Sequence, residues 1–183
     1  MYLWLSASQG HVVWEWIHTR PTMGKGFSAN DVLLVSEAGG PVQALTTNGK
    51  GAEPTVDWPR VAYMAQVHFG AAGPLVVRDL STQQRWQVPA GPDNDHPLLG
   101  DNLVSYRKQG APVIYSLVTR KSVVLTEPRQ YILNGIYLGQ LYPAGNVLAA
   151  IGISDGRKSS GVAVFRTHSA DPMQDLFVCP ASH

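Results

Sequence analysis

The sequence is short of the features that settle a function quickly. Cysteine occurs once in 183 residues, at Cys179. An intrachain disulfide is therefore impossible, and a lone cysteine leaves the redox compartment open. Charged residues make up only 15% of the chain, and 14 Lys and Arg against 13 Asp and Glu give a formal net charge of +1. Nucleic-acid binders draw affinity from neutralised phosphates and show a basic stripe. The nearest match is YRKQG at 106–110 with Arg120 and Lys121, which reads as solvated surface. No nucleic-acid partner is expected. No Asn-x-Ser/Thr glycosylation site occurs. No apolar run approaches the ~20 residues that cross a bilayer, so no membrane-spanning segment is expected. The opening MYLWLSASQG lacks a basic start and a long apolar core, and does not read as a signal peptide. The expected location is cytoplasmic, or periplasmic or extracellular if a signal peptide was removed ahead of Met1.

Helical periodicity is also lacking. The 18 Gly and 13 Pro fall every few residues and interrupt every candidate window. What remains is a series of short apolar runs rich in Val, Leu, Tyr and Trp, bounded by turn formers, which is strand composition. With 44% hydrophobic residues, a chain of this length has enough apolar surface for its own core.

The runs recur in sets. One set is HVVWEW (11–16), RVAYMA (60–65), NLVSYR (102–107) and NVLAAI (146–151). Taking Val12, Val61, Leu103 and Val147 as equivalents gives spacings of 49, 42 and 44. A second set follows: DVLLVSEAGG (31–40), PLVVRDLSTQ (74–83), PVIYSLVTRK (112–121) and GVAVFRTHSA (161–170). The third is VQALT (42–46), RWQVP (85–89), SVVLT (122–126) and DLFVC (175–179). Short pieces precede the first set: YLWLS (2–6), EPTVDW (53–58), HPLLG (96–100) and QLYPA (140–144). The expected unit is strand, turn, strand, loop, strand, tight turn, strand. EAGGP, DLSTQQ and VTRKS read as hairpin turns.

A four-stranded unit of this length cannot bury both faces alone, so neighbours must stack on it. Radial stacking of four-stranded sheets is the β-propeller solution. The expectation is an all-β fold of four antiparallel repeats, closed as a four-bladed propeller or part of a larger one. The alternative is a β-sandwich. The whole of 1–183 reads as a single propeller-like domain, with units at 2–46, 53–89, 96–126 and 140–179 and an insertion at 127–139. The repeats resemble those of the bacterial TolB-like and WD40-like propellers, carried by WPRVAYMA (58–65), LVVRDLSTQQRWQVP (75–89) and GDNLVSYRKQGAPVIYSLVTRKSVVLT (100–126). That family's SPDG turn is replaced here by VDWPR (56–60) and LLGDN (98–102). Some proteins of this repeat architecture are lyases or hydrolases, but a fold does not transfer an activity.

Organised chemistry is thin. The six histidines are His11, His18, His68, His96, His168 and His183, and none forms a close helical pair of the kind zinc sites use. His18 and His68 each follow a first-set run and would converge near one end of a ring. GPDNDHP (91–97) offers Asp93, Asn94 and Asp95 on one loop; calcium is the only cofactor it could favour, and a plain turn explains it as well. SDGRKSSG (154–161) has the wrong spacing for a phosphate loop and reads as a hairpin. Cys179 lies in an apolar run, and no Gly-x-Ser-x-Gly occurs. No metal ligand and no catalytic residue is assigned.

Aromatics and one long loop stand out. Alternation puts Trp14 and Trp16 on one face of their strand and Glu15 on the other. The loop IHTRPTMGKGFSAN (17–30) is longer than its counterparts QVHFGAAG (66–73) and KQGA (108–111), and long loops are common recognition elements. The expected binding residues are Trp16, His18, Arg20 and Phe27 around this loop, with His68 and Arg107 on or beyond first-set runs. In a propeller those runs are expected to line the centre, with Glu15, Met64 and Gln109 beside them.

Two functions compete. The first is a non-catalytic interaction or scaffold module, a component of a larger assembly with a protein partner or a second copy. The alternative is a carbohydrate-active lyase or hydrolase, or a fragment of one, with a carbohydrate ligand. Apolar end faces left by an unclosed row of sheets would recruit such a partner.

Overall fold

A computed structural model describes residues 4–19, 28–65, 73–89, 97–108, 111–124, 136–144, 147–154 and 160–166. All the regular structure in them is β. The first sheet has the order β1 (Leu5–Ser8), β2 (His11–Thr19), β3 (Ser28–Ser36), β4 (Gln43–Ala44). The second has β5 (Gly51–Asp57), β6 (Arg60–Ala65), β7 (Leu75–Asp79), β8 (Arg85–Val88). The third has β9 (Leu98–Gly100), β10 (Leu103–Lys108), β11 (Ala111–Ser116), β12 (Ser122–Val124). The fourth has β13 (Ile136–Ala144), β14 (Val147–Ser154), β15 (Ser160–Arg166). Three sheets are four-stranded antiparallel meanders. The run expected to complete the fourth, 175–179, lies outside the described residues.

Tight turns fix the register. Ser8 pairs with His11, Asp57 with Arg60 and Ala144 with Val147, so each first hairpin closes through two residues. Gln9 (φ 46°) and Gly10 (φ 74°) both have positive φ, the conformation in which a two-residue turn follows the strand twist. The third sheet shares the pattern through one hydrogen bond. Leu117 N–H donates to Asn102 O (2.7 Å), as Glu37 N–H does to Gly10 O (2.7 Å) and Leu80 N–H to Pro59 O (3.0 Å). In the next hairpin, Asp79 Oδ1 accepts from Ser81 Oγ (2.6 Å), Ser81 N–H (3.0 Å) and Thr82 N–H (3.0 Å). The expected DLSTQQ turn is therefore built on its aspartate. The Ser81 hydroxyl is the main cause that holds Asp79 below the ordinary 3.8.

Two details differ from the sequence reading. The turns make His11, Arg60, Leu103 and Val147 equivalent, so the alignment of Leu103 and Val147 with Val12 and Val61 is off by one. A one-residue slip exchanges the two faces of a strand. Ile136–Gly139, read as the end of an insertion, are the first residues of β13. The first-set runs are β2, β6, β10 and β14, the second strand of each sheet, as the expected order of the unit has them. Of the residues expected beside the centre, Glu15 and Met64 are buried, and Gln109 lies outside the described residues.

The chain divides into two compact units, 1–99 with 107–110 and 100–106 with 111–183. In the first unit the core lies between the first two sheets. Val13, Val32, Leu34 and Leu45 from one side meet Val56, Val61, Tyr63 and Val76 from the other, all buried. Each such side chain contributes about 1.5–3 kcal/mol by leaving water. Polar contacts tie the same seam: Val56 N–H donates to Ser6 Oγ (3.1 Å), and the rings of His11 and Trp58 stack with centroids 3.4 Å apart. In the second unit Leu103, Val104, Val113, Ile114 and Tyr115 are buried. Burial, with the neighbouring Tyr115, pushes the Tyr106 hydroxyl up to about 12.

Tyr63 is 2% exposed at the centre of the seam. Tyr63→Ala is expected to lower unfolding free energy by about 3 kcal/mol, from the lost transfer and the cavity left behind. Urea titration measures this; a loss under about 1 kcal/mol would show that the seam is not a packed core.

Candidate functional site

The β2–β3 hairpin is the long one. Its pairing runs from His11 opposite Ser36 to Thr19 opposite Ser28, nine residues on each side. Trp16 lies opposite Asp31 and His18 opposite Ala29, so Trp16, His18 and Asp31 share one face near the hairpin end. The Trp16 and His18 rings stack, with centroids 4.3 Å apart and planes 22° apart. His18 Nε2 lies 2.8 Å from Asp31 Oδ2. A carboxylate only accepts, so Nε2 carries the hydrogen of this bond.

Asp31 is 4% exposed and is the hub of the site. Its Oδ1 accepts from Thr46 Oγ1 (3.0 Å) and from Gly49 N–H (2.9 Å). Thr46 Oγ1 in turn accepts from Val32 N–H (2.9 Å). Asn30 N–H donates to Gly49 O (3.1 Å), and Asn30 and Lys50 form a parallel bridge. The segment after β4 thus folds back over the hairpin and is sealed there. Gly51 makes room for the fold-back: a Cβ there would sit 2.5 Å from Thr46 Oγ1 and 2.9 Å from Val32 Cγ2.

This wiring is structural. Nucleophilic catalysis by a hydroxyl needs the histidine next to the hydroxyl and the carboxylate behind the histidine. Here the carboxylate sits between them, and Thr46 donates its hydrogen to Asp31. The cluster ties the end of the β2–β3 pairing to the segment after β4, with Trp16 47% exposed beside it.

A second polar cluster lies on the opposite face of β2. Glu15, 4% exposed, accepts at Oε1 from Asn30 Nδ2 and at Oε2 from Glu53 N–H (3.1 Å). Glu53 belongs to β5, so this carboxyl stitches the first sheet to the second. Burial pushes the Glu15 carboxyl above the ordinary 4.5; the Glu53 N–H opposes that shift and the Glu53 charge adds to it. Asn30 Oδ1 is buried with no hydrogen-bond partner.

Of the residues expected from sequence, the structure brings Trp16 and His18 together. Arg107 is half-buried near the end of β10, in another sheet. Arg20, Phe27 and His68 lie outside the described residues, as does GPDNDHP apart from Pro97. Asp31 and Thr46 were not anticipated. The only trace of Thr46 in the sequence was the closing Leu-Thr of VQALT, where Leu45 enters the core. Among the described residues, no group of three or more His, Cys, Asp or Glu could hold a metal ion, and no helix is long and apolar enough to cross a membrane.

No family model matches the chain, and no curated protein matches it in sequence. Solved structures do match in fold. The β-propeller domain of the Trilobed protease from Pyrococcus furiosus covers 90% of this chain and 68% of its own, with TM-score 0.58 and 8% identity. An acylaminoacyl peptidase from Pyrococcus horikoshii covers 92% of this chain and 32% of its own, with TM-score 0.56 and 10% identity. An acylaminoacyl peptidase in complex with Z-Gly-Gly-Phe-chloromethyl ketone covers 88% and 32%, with TM-score 0.52 and 10% identity. The chain spans about a third of those two peptidase chains. At such identity the likeness is one of fold alone. This is an all-β, propeller-like domain, and the likeness does not single out TolB-like or WD40-like repeats.

Two measurements test the site. Thr46→Val removes one donor to Asp31 and the acceptor of Val32 N–H, and is expected to cost about 1–3 kcal/mol of stability; a neutral effect would remove the latch. For Glu15 the folded value lies above the unfolded one. Its contribution is therefore full below 4.5 and is lost as pH rises through the raised value. Glu15→Gln should flatten that decline, so the variant gains on wild type in urea midpoints as pH rises above 4.5. Parallel pH curves would mean the carboxyl is not desolvated.

Proposed function

We propose that this chain is a non-catalytic protein-interaction module that works as one component of a larger assembly. The observation that carries the reading is Trp16: a large ring, 47% exposed, immobilised on His18 by the buried Asp31 latch. Rigid, partly exposed aromatics are the residues that most often anchor protein interfaces. Arg20 and Phe27, in the adjoining connection, are assigned to the same contact, with His68 and Arg107 in supporting roles. The repeat spacing supports grouping the units with TolB-like and WD40-like propeller repeats, and the longer propeller domain from Pyrococcus furiosus supports reading them as part of a larger propeller. The competing reading as a carbohydrate-active enzyme gains nothing from the Thr46–Asp31–His18 wiring, which is wrong for activating a hydroxyl.

The test is quantitative cross-linking of the tagged chain in its own cells, read by mass spectrometry. Replacing 19–29 by a four-residue turn should lower partner recovery at least tenfold, with the melting temperature unchanged. Unchanged recovery would overturn the contact. A large fall in melting temperature would assign the loop to the core and overturn it equally.

A further inference from the structure

The fold-back that closes the Asp31 latch turns at Asn48–Gly49, and each residue type is there for the turn. Asn48 Oδ1 accepts from Lys50 N–H (3.2 Å), the local bond that favours asparagine in turns. Gly49 has φ 73°, a conformation in which any Cβ is strained. The pair that suits the turn is also the pair in which an asparagine amide is most easily lost. With no side chain on the following residue, little hinders its backbone nitrogen from reaching Asn48 Cγ. Asn48 is exposed, so water has access to its amide.

The reaction needs no reagent but water. The Gly49 nitrogen gives up its hydrogen to a solvent base and forms a bond to Asn48 Cγ. The Cγ–Nδ2 bond breaks, Nδ2 takes a proton from solvent, and ammonia leaves behind a cyclic imide. Water then adds to one of the two imide carbonyls and opens the ring. Opening on one side gives aspartate. Opening on the other gives isoaspartate, whose backbone runs through Cγ and is longer by a methylene. Nothing is oxidised or reduced.

In the fold, the first step is blocked at one atom. Gly49 N–H donates to Asp31 Oδ1 (2.9 Å), so the hydrogen that has to leave is held by a buried carboxylate. Charge-assisted bonds of this kind are stronger than neutral ones. Gly49 O is held too, by Asn30 N–H (3.1 Å), and Gly49 is buried although Asn48 is not. The nitrogen can turn onto Cγ only after a local opening of the latch.

We propose that Asn48 is a deamidation site gated by the Asp31 latch, and that its isoaspartate product releases the latch for good. A methylene added between Asn48 Cα and Gly49 N displaces Gly49 from both partners, Asp31 at its N–H and Asn30 at its O. The end of the β2–β3 pairing then loses its tie to the segment after β4. The inference stands apart from the interaction reading and does not depend on it.

Peptide mapping by mass spectrometry of the full chain, held at mildly alkaline pH, tests this. In the folded wild type Asn48 should convert at least tenfold more slowly than in the same chain unfolded in urea. Asp31→Ala should raise the folded rate at least tenfold. Should that variant not fold, Thr46→Val decides: Asn48 conversion and deuterium exchange of the Gly49 N–H should rise by the same factor, because both wait for one opening. Aged chain carrying isoaspartate should melt below the Asn48→Asp variant, which keeps an acceptor for Lys50 N–H and the native backbone length. Equal Asn48 rates in folded and unfolded chain overturn the inference. So does a loosened latch that leaves the rate unchanged, or one that slows it, which would make Asp31 the base for the first step. Equal melting of the isoaspartate and Asn48→Asp chains overturns the release of the latch by the product.

Discussion

Burial between sheets is the constraint on which the rest depends. A meander of four short strands has two faces and too little thickness to hide either by itself. In the first unit Val13, Val32 and Leu34 lose water only because Val56, Val61, Tyr63 and Val76 are brought against them. That requires both sheets to hold their alternation in register, and the register is set at the first hairpin turn of each. The two-residue turns at Gln9–Gly10 and Trp58–Pro59 therefore matter beyond their own hydrogen bonds. One added residue would send Val13 and Val61 to the wrong sides and dissolve the seam.

Polar groups are arranged so as not to disturb this packing. Asp31 and Glu15 are both buried carboxyls on neighbouring strands, yet they differ in how they are satisfied. Asp31 collects donors from a side chain on β2, a side chain beyond β4 and a backbone N–H. Glu15 has an amide and one backbone N–H, and lies near a second carboxylate. The first arrangement compensates an ionised group; the second leaves desolvation as the larger effect. Their opposite faces explain the division of labour. Asp31 fixes the hairpin end within its sheet, whereas Glu15 fixes one sheet to the next.

The fold was far more legible in the sequence than the site. The runs at 11–16, 60–65, 75–79 and 112–116 all fall in strands, because alternation and turn formers are local signals. The turn at DLSTQQ was legible for the same reason: Asp79 bonds to residues two and three positions away. Two things were harder. The equivalence of Leu103 with Val12 failed by one residue because every position from Leu103 to Tyr106 is buried, so no polar alternation marks the faces there. The Asp31 latch failed for a different reason. Its donors come from 13, 15 and 18 residues away, a pattern no strand or helix period contains. Trp16 and His18 were singled out separately, Trp16 as a strand aromatic and His18 as part of the 17–30 loop; that they stack two apart on one strand was not read, because β2 runs on to Thr19.

The fold-back at Thr46–Gly49 bears on how repeats of this kind can be exchanged. By strand count the first repeat ends at Ala44, and the segment up to Gly51 looks like a spare connection. It is not spare. Asp31 reaches forward to Thr46 and Gly49, and Asn30 pairs with Lys50 one residue before the second sheet begins. The first repeat is completed by residues counted into its neighbour. A recombination point placed at the strand boundary would part Asp31 from Thr46 and Gly49, while one placed in the 20–27 connection would part it from His18. A transferable first repeat therefore has to run from β1 past Lys50, beyond the point where strand counting would end it.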